Sequence, residues 1–340
     1  MKTREDNSIQ EFGAGVLLNN LHALESEFEG VRKGEDIEAI HRMRVASRRL
    51  RAALPLFGPT ISAKKYTEWV RHITKLTKAL GEARDSDVQI DHLGEYLRAL
   101  PPGPARPGVR RLLLRLRQGR QKLQDNVKNA LDDAVQSNVL MDMERKLRPI
   151  VHQFQGTPQS PELCAMASTA IREKLQRFLE YEPFIDQPEA KEELHAMRIA
   201  AKRLRYTLEI FSPLYESELK PYLKVMRQIQ ELLGNIHDCD VWMVFLPEFE
   251  EQERKRTLRY FGHQRPFERL LPGLEAYSAD RSAARDQEYA DFLQKWQSWR
   301  QERLWDHLIN EVTARCLILP PTLAEPAPDA GPANEQVESA

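Results

Sequence analysis

One stretch of this chain occurs twice, and that repetition limits the folds open to it. HRMRVASRRLRAALPLF at 41–57 returns as HAMRIAAKRLRYTLEIF at 195–211. A second pair, LGEARDSDV at 80–88 and LGNIHDCDV at 233–241, follows each copy at nearly the same distance. His41 and His195 are 154 residues apart and Leu80 and Leu233 are 153 apart, so the halves align with almost no slippage. Self-similarity of this kind means one structural unit built twice and packed against itself. The expected architecture is one domain over 8–315, with an N-terminal half at 8–154 and a C-terminal half at 162–315 about a pseudo-twofold axis.

The unit is helical. Glycine is scarce, and prolines cluster at Pro101–Pro107, at Pro158 and Pro161, and from Pro320 onward. Between the clusters apolar residues recur at three- and four-residue spacing with little alternation, which predicts an all-α chain. The spacing places helices near 8–29, 37–57, 61–82, 85–99, 107–133, 135–154, 162–181, 189–211, 215–234, 239–260 and 281–315. The segment 319–340, rich in Pro, Ala and acidic residues, is expected to be a disordered tail.

Projected at about 100° per residue, the repeated segment separates into faces. Met43, Ala46, Leu50, Leu54 and Phe57 form a core stripe, and His41, Arg44, Arg48 and Arg51 a cationic row on another arc. In the second copy Met197, Ala200, Leu204, Leu208 and Phe211 take the core stripe, and His195, Arg198, Lys202 and Arg205 the row. Like charges stacked on one helix face repel by a few tenths of a kcal/mol per pair, a cost that anions must relieve. The next helix adds Lys64, Arg71, Lys75 and Lys78 beside the apolar Trp69, Ile73, Leu76 and Leu80. Its counterpart carries Lys220, Lys224 and Arg227 beside Tyr222, Met226, Ile229 and Leu233, with Glu231 where the first copy has Lys78. Packed as antiparallel hairpins, these rows would border one long basic groove. Arg supplies paired hydrogen bonds to phosphate oxygens and Lys a compact mobile charge.

The Asp pairs Asp85/Asp87 and Asp238/Asp240 admit two readings. They follow Gly81 and Gly234, where they would cap the start of a next helix and pair with Arg49 and Arg203. Alternatively, with His41, His195 and His237 they would serve a metal-dependent phosphohydrolase, since His237-Asp238 spells a dipeptide associated with such enzymes. A metal site needs several converging ligands, so the structural reading is preferred, with no metal and no cofactor expected. Neither a nucleophile motif, a Gly-rich phosphate loop nor a dinucleotide fingerprint is present. His41 and His195 either fix the helix start or touch phosphate directly.

Lys plus Arg (50) balance Asp plus Glu (51), which argues against coating nucleic acid by bulk charge. Apart from the core-stripe Phe57 and Phe211, Tyr206 is the only aromatic inside either basic segment, so base stacking has little to work with. Cys164, Cys239 and Cys316 are scattered and odd in number, giving neither a disulfide framework nor a zinc pair and suggesting a reducing compartment. The polar N-terminus has no secretory h-region, and no apolar run approaches a membrane span, so a cytoplasmic location is expected.

These two copies of His-x-x-Arg-(Val/Ile)-Ala-x-(Arg/Lys)-Arg-Leu-Arg, with the two Leu-Gly-x-x-(Arg/His)-Asp-x-Asp-Val segments, resemble the CHAD family, the conserved histidine α-helical domain. The resemblance covers roughly 8–315. It implies two helical bundles around a basic central cavity that binds inorganic polyphosphate, and a place in the cytoplasm or on polyphosphate granules. With the structural reading of the Asp pairs, binding without catalysis is expected. Such domains often follow a triphosphate-tunnel domain, for which the residues before 8 leave no room. Arg48 is matched by Lys202 and Arg84 by His237, so the halves are expected to bind phosphate unequally.

Overall fold

Each half opens on a helix held by a side-chain cap. In the computed structural model, which describes residues 6–34, 36–58 and 61–318, the Asp6 carboxylate accepts from the Ser8 and Ile9 amides to start α1 (Asn7–Glu25). The Ser160 hydroxyl accepts from the Leu163 amide to start α7 (Pro161–Leu179), with Pro161 in the first turn where its missing N–H costs nothing. The two caps are joined, because Ser160 Oγ donates to Asp6 Oδ2 at 2.6 Å.

After α1 come α2 (Phe28–Lys33), α3 (Ile37–Phe57), α4 (Ala63–Ala99), α5 (Arg106–Gln136) and α6 (Val139–Phe154). After α7 come α8 (Lys191–Phe211), α9 (Lys220–Phe261), the single turn α10 (Arg265–Glu268), α11 (Leu271–Gln301) and α12 (Leu304–Ile318). Among the described residues every regular element is helical. The same packing order runs through both halves: α1 on α3 and α6, α3 on α4, α4 on α5; then α7 on α8 and α12, α8 on α9, α9 on α11.

The repeated apolar stripes are buried as their period requires. Met43, Leu50, Leu54, Phe57, Met197, Leu204, Leu208 and Phe211 lie in one core shared by both halves. Phe57 and Phe211, equivalent positions of the repeat, meet edge-to-face at 6.2 Å, and Phe12 stacks on Phe211 at 5.9 Å. A second, smaller core gathers at the far ends of the long helices, around Leu93, Leu112, Trp242, Leu246, Phe249, Leu274 and Tyr277. There α5 and α11 cross on Gly108 and Gly273. A Cβ on Gly108 would lie 2.1 Å from the Leu270 carbonyl oxygen, and one on Gly273 would lie 2.0 Å from that of Ala105.

Four expectations change. The helices expected at 61–82 and 85–99 are the single α4, and those at 215–234 and 239–260 are the single α9. Gly81 and Gly234 therefore do not end helices. Each sits where a guanidinium crosses the helix: a Cβ there would meet Arg44 Nε at 3.9 Å or Arg198 Nε at 3.7 Å. It follows that Asp85, Asp87, Asp238 and Asp240 lie inside helices and cap nothing. The long helix expected at 281–315 instead breaks at Arg303, whose φ of 50° divides α11 from α12. The expected tail at 319–340 lies outside the described residues.

Candidate functional site: a paired cationic cluster between the halves

α3 and α8 pack against each other, and this brings the two cationic rows together. Arg44 Nη2 bonds Asp85 Oδ1 at 2.9 Å, with the Arg44 side chain 21% exposed and that of Asp85 68% exposed. Arg44 is held below its ordinary pKa chiefly by burial, with Arg48 on its own helix and Arg198 from the other half adding repulsion. Lys202 is lowered to about 7, first by burial and then by Arg198, Arg48 and Arg44. Arg198 is lowered by burial and by Arg48, and its buried Nε has no hydrogen-bond partner among the described residues. Arg44, Arg48, Arg198 and Lys202 thus converge from two halves upon two carboxylates, Asp85 and Asp238.

Asp238 is exposed to solvent, yet burial is the main cause that raises its pKa, outweighing the Arg198, Lys202 and Arg44 charges. A group can be both wet and surrounded by protein only in a concave, water-filled space. A cleft of about 700 Å³ opens beside Asp85, between α4, α5 and α9. Its lining adds Lys122, Arg115 and Arg256 and an apolar floor of Phe245 and Phe249. Arg111, Arg115 and Arg256 all contact Glu253, whose side chain is fully buried, at 2.8–2.9 Å. Sequence reasoning missed these cations. The Arg run at 110–117 was a usable signal, but nothing local ties it to Glu253.

The remaining expected residues are placed as follows. Arg205 donates Nε to Gln230 Oε1 at 2.9 Å, pairs with Glu209, and lies 4.7 Å from the centre of the Tyr206 ring. Arg48 approaches the same ring at 5.6 Å. Arg51 is exposed. Lys64, Arg71 and Lys75 are exposed on α4, and a rise of 1.5 Å per residue puts them about 15–32 Å along it from Asp85. Lys75 Nζ pairs with Asp133 of α5 at 3.0 Å, and Arg71 Nη2 lies 2.8 Å from His72 Nε2. Lys220, Lys224 and Arg227 are exposed on the first turns of α9.

The acidic residues are structural in a different way from the one expected. Asp87 is buried against Arg120 at 2.6 Å. Asp240 pairs with Arg285 at 2.7 Å and Lys191 at 3.3 Å. Arg49 pairs with Glu209 across the halves at 3.1 Å rather than with an Asp of either pair.

The histidines differ between halves, as the Arg84/His237 mismatch foreshadows. His195 Nδ1 lies 2.9 Å from His237 Nδ1, so one ring donates and the other accepts. Burial, His195, Arg198 and Lys202 bring His237 down to about 4. His195 is lowered by burial and by Arg198 and Lys202, and His41 by burial and Arg84. His41 Nδ1 is buried without a hydrogen-bond partner among the described residues. In the free protein these rings are therefore neutral near pH 7. Among the described residues, no three His, Cys, Asp or Glu side chains form a group that could hold a metal ion. No helix among them is long and apolar enough to cross a membrane.

A family model described as the CHAD domain matches residues 15–247, more than half of the chain. Among curated proteins, an uncharacterised protein of Mycobacterium tuberculosis, matched in two strains, is 28% identical over 179 residues. That stretch is 52% of this chain and 34% of the relative, so the alignment spans about a third of the relative's length. Among solved structures, the crystal structure of the CHAD domain from the plant Ricinus communis superposes with a TM-score of 0.58 at 22% identity. It covers 92% of both chains, a likeness of fold.

Proposed function

Since this chain belongs to the CHAD domain family, we propose that it binds inorganic polyphosphate between its halves, as a binding module without catalysis, in the cytoplasm or on polyphosphate granules. The observation that carries the reading is the meeting of Arg44, Arg48, Arg198 and Lys202 beside Asp85 and Asp238, with Arg198 Nε unpartnered. Burial first, and then repulsion from neighbouring cations, depresses Arg44, Arg198 and Lys202, and a chain of phosphates offsets this while supplying acceptors for the free guanidinium N–H groups. The ligand is a phosphate chain without bases, because Tyr206 is buried and lies under Arg48 and Arg205, leaving no ring face for stacking. His41, Arg44, Arg48, Arg198 and Lys202 form the proposed inner contact set, with His195 beside it. Arg51, Arg205, Lys64, Arg71, Lys75, Lys220, Lys224 and Arg227 extend the cationic track outward.

The test is a titration with long-chain polyphosphate, triphosphate, and single- and double-stranded nucleic acid at matched salt. Tight, steeply salt-dependent binding of long polyphosphate alone is expected, because neutralised phosphates release counterions. The double variant Arg44→Glu/Arg198→Glu should lose binding with helicity intact. Retained binding would mean that the ligand lies elsewhere. Incubation with divalent metals should release no phosphate.

A further inference from the structure

The cations of α9 lie on a track whose counter-anions are missing from the described residues. Lys220, Lys224 and Arg227 are spaced i, i+4, i+7 and share a face. Lys220 and Asp238 are eighteen residues apart, five full turns, so the track points along about 27 Å of helix to Gly234, Asp238 and the central cluster. In the first half two of the four cations of the matching row have carboxylate partners, Lys75 with Asp133 and Lys78 with Glu82. In the second half none of the three has a carboxylate partner among the described residues, and Glu231, next on that face, pairs with none of them.

The end of α12 lies beside the start of this track. Arg315 Nε donates to the Leu214 carbonyl at 2.9 Å and its Nη2 lies 3.7 Å from Glu216, in the connection that leads into α9. Glu311, one turn earlier, adds to the upward pKa shift that burial gives Tyr222 on α9. Beyond Ile318 the sequence runs LPPTLAEPAPDAGPANEQVESA, with Glu325, Asp329, Glu335 and Glu338 and neither Lys nor Arg. At up to about 3.3 Å per residue, Glu325 reaches roughly 23 Å from Ile318 and Glu338 roughly 66 Å, enough to follow the track to its inner end.

We propose that residues 319–340 dock on Lys220, Lys224 and Arg227 as an internal acidic competitor for the polyanion. The competing role rests on the polyphosphate reading, but the docking does not. The segment is far less charged than a phosphate chain, and its advantage is attachment, which holds it at high effective concentration. A ligand that binds only the uncovered form loses affinity in proportion to the covered fraction.

Two measurements on the full-length chain test this. A carbodiimide joins a carboxylate to a lysine amine with loss of water. At low salt it should link 319–340 to Lys220 or Lys224, as read by mass spectrometry of the cross-linked peptides. The linkage should fade at about 0.5 M salt, where the Debye length falls to a few Å. Separately, Glu325→Gln, Asp329→Asn, Glu335→Gln and Glu338→Gln together should tighten polyphosphate binding about fivefold at low salt, the figure for a segment docked four-fifths of the time. Linkages scattered over other lysines overturn the docking, and unchanged affinity in the neutralised variant overturns the competition. If neither form binds polyphosphate, the functional reading falls, while the cross-link pattern still decides the docking.

Discussion

Lys202 offers the sharpest check on the cluster, because its charge is poised where pH can move it. Burial, then Arg198, Arg48 and Arg44, hold it at about 7 in the free protein, against an ordinary value of 10.5, with Asp85 pulling the other way. Phosphates beside it favour the charged form and return it towards its ordinary value, so binding takes up a proton. If the bound value is 10 or higher, affinity should fall about thirtyfold from pH 6 to pH 8.5 for this one group, nearly all of it above pH 7. Long polyphosphate suits the assay, since its internal phosphates stay ionised throughout. Calorimetry in two buffers of different ionisation heat should show uptake of about half a proton at pH 7, rising to about one at pH 8.5. His237, at about 4, adds little in this window. Lys202→Arg keeps the charge at all these pH values and should flatten the profile. The stability of the free protein moves the opposite way: its unfolded state binds the extra proton, so this lysine lowers stability as pH drops from about 10.5 to 7 and not below. A wild-type affinity flat across the window, with no proton uptake, would refute the placement of Lys202 among uncompensated cations.

Other outcomes follow from the packing. Glu253→Ala leaves Arg111, Arg115 and Arg256 without their shared carboxylate, and should cost about 2–4 kcal/mol in denaturant unfolding, the low side of a broken buried pair because the guanidinium groups are partly wet. Gly108→Ala drives a methyl into the Leu270 carbonyl and should destabilise by about 3 kcal/mol or more, since backbone cannot yield as a side chain can. Gly15→Ala, with nothing within 4 Å of its Cβ, is the control and should stabilise α1 by about 0.5–1 kcal/mol. Arg49→Ala removes the cross-half pair with the half-buried Glu209 and should lower stability by about 1 kcal/mol while sparing helicity.

The all-helical fold, the core stripes and the cationic rows were legible because period and repeat are local properties of a helix. Met43 to Phe57 and Met197 to Phe211 are buried for the reason their spacing gives: a stripe on one face has to turn inward. What sequence could not supply was which distant groups share a space. Gly81 and Gly234 looked like helix ends because a glycine followed by Asp is ordinary cap chemistry. Only tertiary packing reveals that each lies inside a continuous helix, beneath an arginine from the neighbouring one. Asp85, Asp87 and Asp240 likewise found partners in Arg44, Arg120 and Arg285, which are 41, 33 and 45 residues away. The repeat by itself determined that there would be two positive rows. Their convergence and the depressed Lys202 were decided by how α3 meets α8, because burial and Coulomb repulsion depend on separation in space and not along the chain.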